Sequence, residues 1–298
     1  MRTVKWNAFL SGICVFAVAL GVMAGGACAD VTTEKGASIL IFPKVRANTT
    51  YDTIIQITNI SNSMVHARCF YVNATLFDSG IPCTVPSESC LPQWNETDFD
   101  IWLTKQQPTH WLVSTGRLSF PGPLGTDLAG FPPGRVPPVG HTFEGELKCV
   151  EVTDSDDPFP GNHLKGEATI KALVTAVPNL AQATVAADVS KYNAIGIEGN
   201  PNTPPNSNTL PLDGQIYDAC PAKLIVNHFA NGAGAVDPVV DAFNPVPPAA
   251  PVIGSFINTE LTLVPCAENF ETQRPTSSTV QFLVTNEFEQ QFSCLSQS

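Results

Sequence analysis

The chain reads as an all-β protein, an antiparallel β-sandwich arrangement with little helix, and three observations lead there. Short runs rich in β-branched and aromatic residues recur between turn residues. Proline and glycine are plentiful, at 26 and 21 of 298 residues. No stretch sustains apolar residues at i, i+3, i+4 and i+7 between helix caps. With 43 % hydrophobic and 14 % charged residues, the balance is that of a folded chain with many turns rather than a disordered one.

The first strands are expected at 38–45 (SILIFPKV), 52–59 (DTIIQITN) and 64–72 (MVHARCFYV). In the second, Thr53, Ile55 and Ile57 fall on one face. In the third, Val65, Ala67, Cys69 and Tyr71 alternate with His66 and Arg68, the pattern of a strand with one buried side. The intervening Asn59-Ile60-Ser61-Asn62-Ser63 has the side-chain acceptors of a hairpin turn.

The run IIQITNISNSMVHARCFYV resembles the consecutive strands of immunoglobulin-like modules in bacterial exported proteins, where a strand ending in Thr-Asn leads through Asn and Ser to a strand carrying aromatics. The resemblance spans roughly forty residues and implies a fold and no activity.

Two further strands, 99–104 (FDIWLT) and 110–116 (HWLVSTG), are read as completing a first sandwich domain over 30–120. The stretch 121–141 (PGPLGTDLAGFPPGRVPPVGH) is too dense in Pro and Gly for helix or inner strand, and a linker between domains is placed there. Beyond it, 142–152 and 164–177 flank an Asp/Pro/Gly turn and predict a long hairpin. Strands at 181–189, 222–230, 257–265 and 278–288 then complete a second domain over 142–298, with long loops near 198–214 and 231–252.

The amino terminus supplies the cellular address. Arg2 and Lys5 precede an apolar stretch from Ala8 to Met23, and Gly25-Gly26-Ala27-Cys28-Ala29 closes it. This charged, apolar, small-residue order is that of a signal peptide over 1–29, with cleavage after Ala29. Lipidation of Cys28 is the alternative, set against by the missing branched apolar residue three places before it. No later segment is apolar for long enough to cross a bilayer. Export then favours disulfides over metal binding for Cys69, Cys83, Cys90, Cys149, Cys220, Cys266 and Cys294. Cys83 and Cys90 bracket a Pro- and Ser-containing loop and are expected to staple it, and a second tie is drawn from Cys266 to Cys294. The odd number leaves at least one thiol over, or an intermolecular bridge.

The formal net charge of −12 repels phosphate backbones and anionic headgroups, which argues against nucleic acid or a membrane surface as partner. No Gly-x-Ser-x-Gly elbow and no His-Glu-x-x-His pair occurs, and His66, His110, His141, His163 and His228 are scattered singly. Asp154-Ser155-Asp156-Asp157 lacks EF-hand spacing and reads as a solvated hairpin turn. Glu144, Glu146, Glu151 and Glu167 are candidate acids by residue type alone, with Glu144 and Glu146 expected on a solvent-facing edge.

No catalytic residue, cofactor or metal is therefore assigned. Trp94, Trp102 and Trp111 are the candidate ligand platform, against the competing reading that sandwich tryptophans fill a core. Four glycosylation sequons, at Asn48, Asn59, Asn73 and Asn95, are close to the number chance supplies. The sequence thus points to an exported, non-catalytic structural, adhesive or binding protein with a cell-surface protein or glycan partner. A carbohydrate-binding module and a hydrolase without a recognisable motif are the alternatives.

Overall fold

A computed structural model describes residues 32–76, 92–117, 133–173, 189–202, 210–221, 223–226, 260–265, 279–285 and 291–297. Among them there is no helix. The strands are β1 (Ile39–Ala47), β2 (Tyr51–Asn59), β3 (Val65–Asn73), β4 (Glu96–Leu103), β5 (Pro108–Leu112), β6 (Phe143–Val152), β7 (Leu164–Ala172), β8 (Val189–Asn193), β9 (Ile195–Ile197), β10 (Thr279–Thr285) and β11 (Gln291–Gln297). The last two form an antiparallel pair of their own, and the other nine form one antiparallel sheet.

The order β4-β3-β6-β1-β2-β7-β8, with β5 on β2 and β9 on β1, divides the sheet into two limbs. One limb is β4-β3-β6-β1-β9 and the other β5-β2-β7-β8. They are joined through β1 and β2 by a single register pair, Ala47 with Asp52. Pro43 lies where β1 slips against β6, between the pairs Phe42 with Leu147 and Val45 with Gly145. A proline has no amide hydrogen for the ladder, so an irregularity is where a paired strand can hold one.

Alternation decides the core. Ala67, Cys69 and Tyr71 of β3, Ile101 and Leu103 of β4, Leu147 and Cys149 of β6, Leu40 and Phe42 of β1 and Ile55 and Ile57 of β2 are all buried in one cluster. Each such leucine, isoleucine or phenylalanine contributes about 1.5–3 kcal/mol by leaving water. The two limbs touch inside this cluster. Trp111 of β5 donates from Nε1 to the Tyr71 hydroxyl of β3 at 2.6 Å and meets Phe99 of β4 edge to face at 5.9 Å. Cys69 and Cys149 are register partners in β3 and β6 and form a disulfide wholly within the core. A smaller cluster, Ile39, Val150, Val152 and Ile197, lies on the opposite face and is covered by Tyr217, Leu210, Leu212 and Ile216.

Strands β1 to β4, β6, β7 and β10 fall on runs expected as strands, but their partners were not legible. Asn59–Ser63 connects β2 to β3 without pairing them, because β2 takes β5 and β7 while β3 takes β4 and β6. The Asn59 amide explains the geometry, since it donates to the carbonyls of Ser63, Leu103 and Thr104 and so ties the turn to the end of β4. The long hairpin expected over 142–177 does not form either. β6 inserts between β3 and β1, and β7 runs beside β2. β5 and β6, on either side of the 121–141 stretch, belong to the same sheet. Residues 223–226 and 260–265, expected as strands, are irregular and leave Leu224, Ile225, Val226, Leu261 and Leu263 exposed. Residues 1–29, expected as a signal peptide, residues 181–188 and the expected 231–252 loop lie outside the described residues.

Candidate functional site

The candidate site is a cleft of about 690 Å³ between the β3–β4 pair and the β6–β7 connection. Its walls include Met64, His66, Trp102, Glu151, Asp154, Ser155, Phe159 and His163.

Register builds the first wall. His66 and Trp102 are directly opposite in β3 and β4, and their rings stack with centroids 3.8 Å apart and planes 8° from parallel. The His66 side chain is only 5 % exposed. Its Nδ1 lies 3.0 Å from the Thr153 carbonyl and its Nε2 lies 3.1 Å from Asp100 Oδ1. Asp156 approaches Nδ1 at 3.9 Å. Two residues on, Arg68 pairs with Asp98 at 2.5 Å and reaches Asp156 at 3.4 Å. The hydrogen bond to Asp98 holds the Arg68 guanidinium charge more firmly than usual, against the opposing effect of burial.

The second wall is the 153–163 connection. Thr153 closes its turn by accepting at its carbonyl from the Asp156 amide and by donating its own amide to Asp157. Glu151, at the end of β6, has a side chain 2 % exposed and receives His163 twice: Nδ1 is 2.7 Å from Oε1 and the backbone amide is 3.1 Å from Oε2. Burial pushes the Glu151 carboxyl above its ordinary range, and the neighbouring His163 opposes that shift. A Cβ at Gly161 would lie 2.2 Å from Glu151 Oε1, so a larger residue there must displace that carboxylate.

His66, Asp100 and Asp156 lie close enough together to suggest a metal centre. The chemistry is that of an ion-paired cluster instead. The two carboxylates address different nitrogens of the ring, the Thr153 carbonyl already occupies Nδ1, and Arg68 stands among the acids. A metal needs an imidazole lone pair, and a ring that donates to both Thr153 and Asp100 has none to offer.

The three tryptophans do not form one platform. Trp111 is 2 % exposed and belongs to the core, where its indole N–H finds the Tyr71 oxygen; Trp94 is half-buried with a positive φ of 52°. Trp102 alone of the three lines the cleft. The four glutamates likewise separate. Glu144 pairs with Arg46 and Glu167 with Lys191, and Glu151 is in the cleft. Glu146, expected on an edge, is buried against Lys148 at 2.6 Å, because β6 is an inner strand. Burial raises the Glu146 carboxyl and lowers the Lys148 ammonium.

Cys83, Cys90 and Cys266 lie outside the described residues, as does the side chain of Cys294. Cys220 is disulfide-bonded. The grouping of His66, Asp100, Glu151 and His163 escaped the sequence reading because the contacts that assemble it span up to 87 residues along the chain. One signal was present: His66 and Arg68 alternate outward on one strand as Asp98 and Asp100 do on another.

No family model matches the chain, and no characterised protein matches it. Among solved structures it is similar to a crystal structure of Thermotoga maritima 1070, at 9 % identity and a TM-score of 0.30, covering 55 % of this chain and 98 % of that one. A likeness at that level carries no argument about fold or function.

Proposed function

We propose that the chain is an exported, non-catalytic binding protein, built as an immunoglobulin-like sandwich and acting at the cell surface or in the periplasm through the cleft beside Trp102. The observation that carries the reading is the cleft itself, an aromatic wall facing a polar one across about 690 Å³. Binding is favoured over catalysis because the proton-active groups are already committed. Both oxygens of Glu151 accept from His163, and both nitrogens of His66 face acceptors.

The sandwich reading is supported by the limb-to-limb contact of Trp111 with Tyr71 and Phe99. Export is supported by the leader-like amino terminus and by the buried Cys69–Cys149 disulfide, a bond that persists in oxidising compartments. Among the described residues no helix is long and apolar enough to cross a membrane.

A neutral glycan is the ligand class that Trp102 favours, since an indole offers a stacking face and Ser155 and Asp154 offer hydrogen-bonding groups beside it. A glycan-array screen of the secreted protein tests this. Binding that disappears in Trp102→Ala and persists in Trp94→Ala is the expected result. Glycan binding indifferent to Trp102 would remove the cleft from the reading, and hydrolysis of a bound glycan would overturn the non-catalytic one.

A further inference from the structure

One buried ring joins the two walls of the cleft, and its surroundings demand more protons than a neutral imidazole carries. The Thr153 carbonyl, 3.0 Å from Nδ1, can only accept a hydrogen bond, and the ionised Asp100 carboxylate, 3.1 Å from Nε2, can only accept one as well. Neutral histidine has a single N–H, so both acceptors are satisfied together only by the imidazolium. The flat stack on Trp102 at 3.8 Å favours the same state, because an indole face attracts a cation.

We propose that His66 is a proton-operated clasp: doubly protonated, it ties β4 to the turn after β6, and on losing one proton it releases Asp100 and loosens that side of the cleft.

The charged groups around the ring agree in sign. Asp100 faces it from β4 and Asp156 from the turn, the latter at 3.9 Å. Arg68 is the opposing cation on the same strand, and its charge is taken up by Asp98 and Asp156. Asp154 adds a further carboxylate to the cleft wall, while Glu151 and His163 are paired with each other.

The weaker of the two bonds is identifiable. Thr153 O is fixed by the hydrogen bonds of its own turn, whereas the Asp100 side chain is 45 % exposed and finds water on turning away. Deprotonation therefore leaves Nδ1–H on Thr153 and a lone pair facing Asp100, which departs. The rim gains a free carboxylate, and Trp102 loses the cation on its face. The clasp depends on these contacts alone and holds whatever ligand the cleft takes.

Ring-selective 15N NMR of the secreted protein over about pH 5 to 9, the range in which histidines titrate, reads the clasp directly, with His66→Gln assigning the resonances. The expected result is a doubly protonated His66 at the acid end that converts to the Nδ1–H tautomer, with the amides of Asp100 and Thr153 shifting at the same midpoint. Asp100→Asn, at an exposed side chain, should lower that midpoint. A His66 that stays neutral throughout, a midpoint indifferent to Asp100→Asn, or a titration that leaves the Asp100 and Thr153 amides unmoved would each overturn the proposal.

Discussion

Tyr71 shows how one buried contact replaces a surface reading. Its hydroxyl accepts from Trp111 Nε1 at 2.6 Å, with both rings nearly inaccessible. Burial pushes the phenol above its ordinary range, so it remains neutral. Removing the hydroxyl in Tyr71→Phe strands an indole N–H in the core, and the expected loss is about 1–3 kcal/mol. A lower urea midpoint at unchanged slope would register it. Glu96 supplies a pH effect at the same scale. Burial, and then the charge of Asp98, push its carboxyl from 4.5 up to about 7. The unfolded chain ionises first, so the contribution of Glu96 to stability is complete below about 4.5 and is lost as pH rises through about 7. Urea midpoints across that interval should fall in the native protein and fall less steeply in Glu96→Gln. Neither environment was legible in the sequence. A tryptophan on an alternating strand fits a core or a platform equally, and Glu96 gains its character first from burial, which the sequence alone does not show.

At the scale of elements, period-two alternation located β1 to β4, β6, β7 and β10, and it assigned the faces of β2 and β3 correctly. Thr53, Ile55 and Ile57 are buried together, as are Ala67, Cys69 and Tyr71. It failed on neighbours, because turn composition is local and pairing is not. β6 is the clearest case. Its residues Glu144, Glu146 and Lys148 look like a solvated edge, yet the strand is paired on both sides and a Glu–Lys pair neutralises the buried charge. Gly145 lets it fit: a Cβ there would stand 2.0 Å from the Val72 carbonyl oxygen and 3.1 Å from the Phe143 ring. Gly145→Ala must push β3 and β6 apart, and a loss of roughly 1–3 kcal/mol is expected from such overpacking. Hydrogen exchange should show weakened protection along β3 and β6 before other strands, and undiminished protection there would refute the account. The cleft lies at this junction, so its legibility shared the same limit: each residue was visible, and the register that assembles them was not.

For the whole molecule, the sheet ties together parts far apart in sequence. Cys69 and Cys149 are separated by 80 residues, a loop length for which the chain-entropy account gives about 4–5 kcal/mol of stabilisation. The double variant Cys69→Ala with Cys149→Ala should lose stability of that order in a denaturation series. The Pro/Gly composition of 121–141 was read as a linker, and low strand propensity does not reveal that β5 and β6 on either side of it share one sheet.

That shared sheet has a mechanical meaning. β6 is a central slat fitted after its two neighbours, β1 and β3, have already been made, and it is bolted to one of them. A protease cutting the peptide backbone anywhere between β5 and β6 would therefore sever the chain without parting it. The two pieces should migrate as one species until a reductant is added, and the nicked protein should keep its β-sheet signature in the meantime.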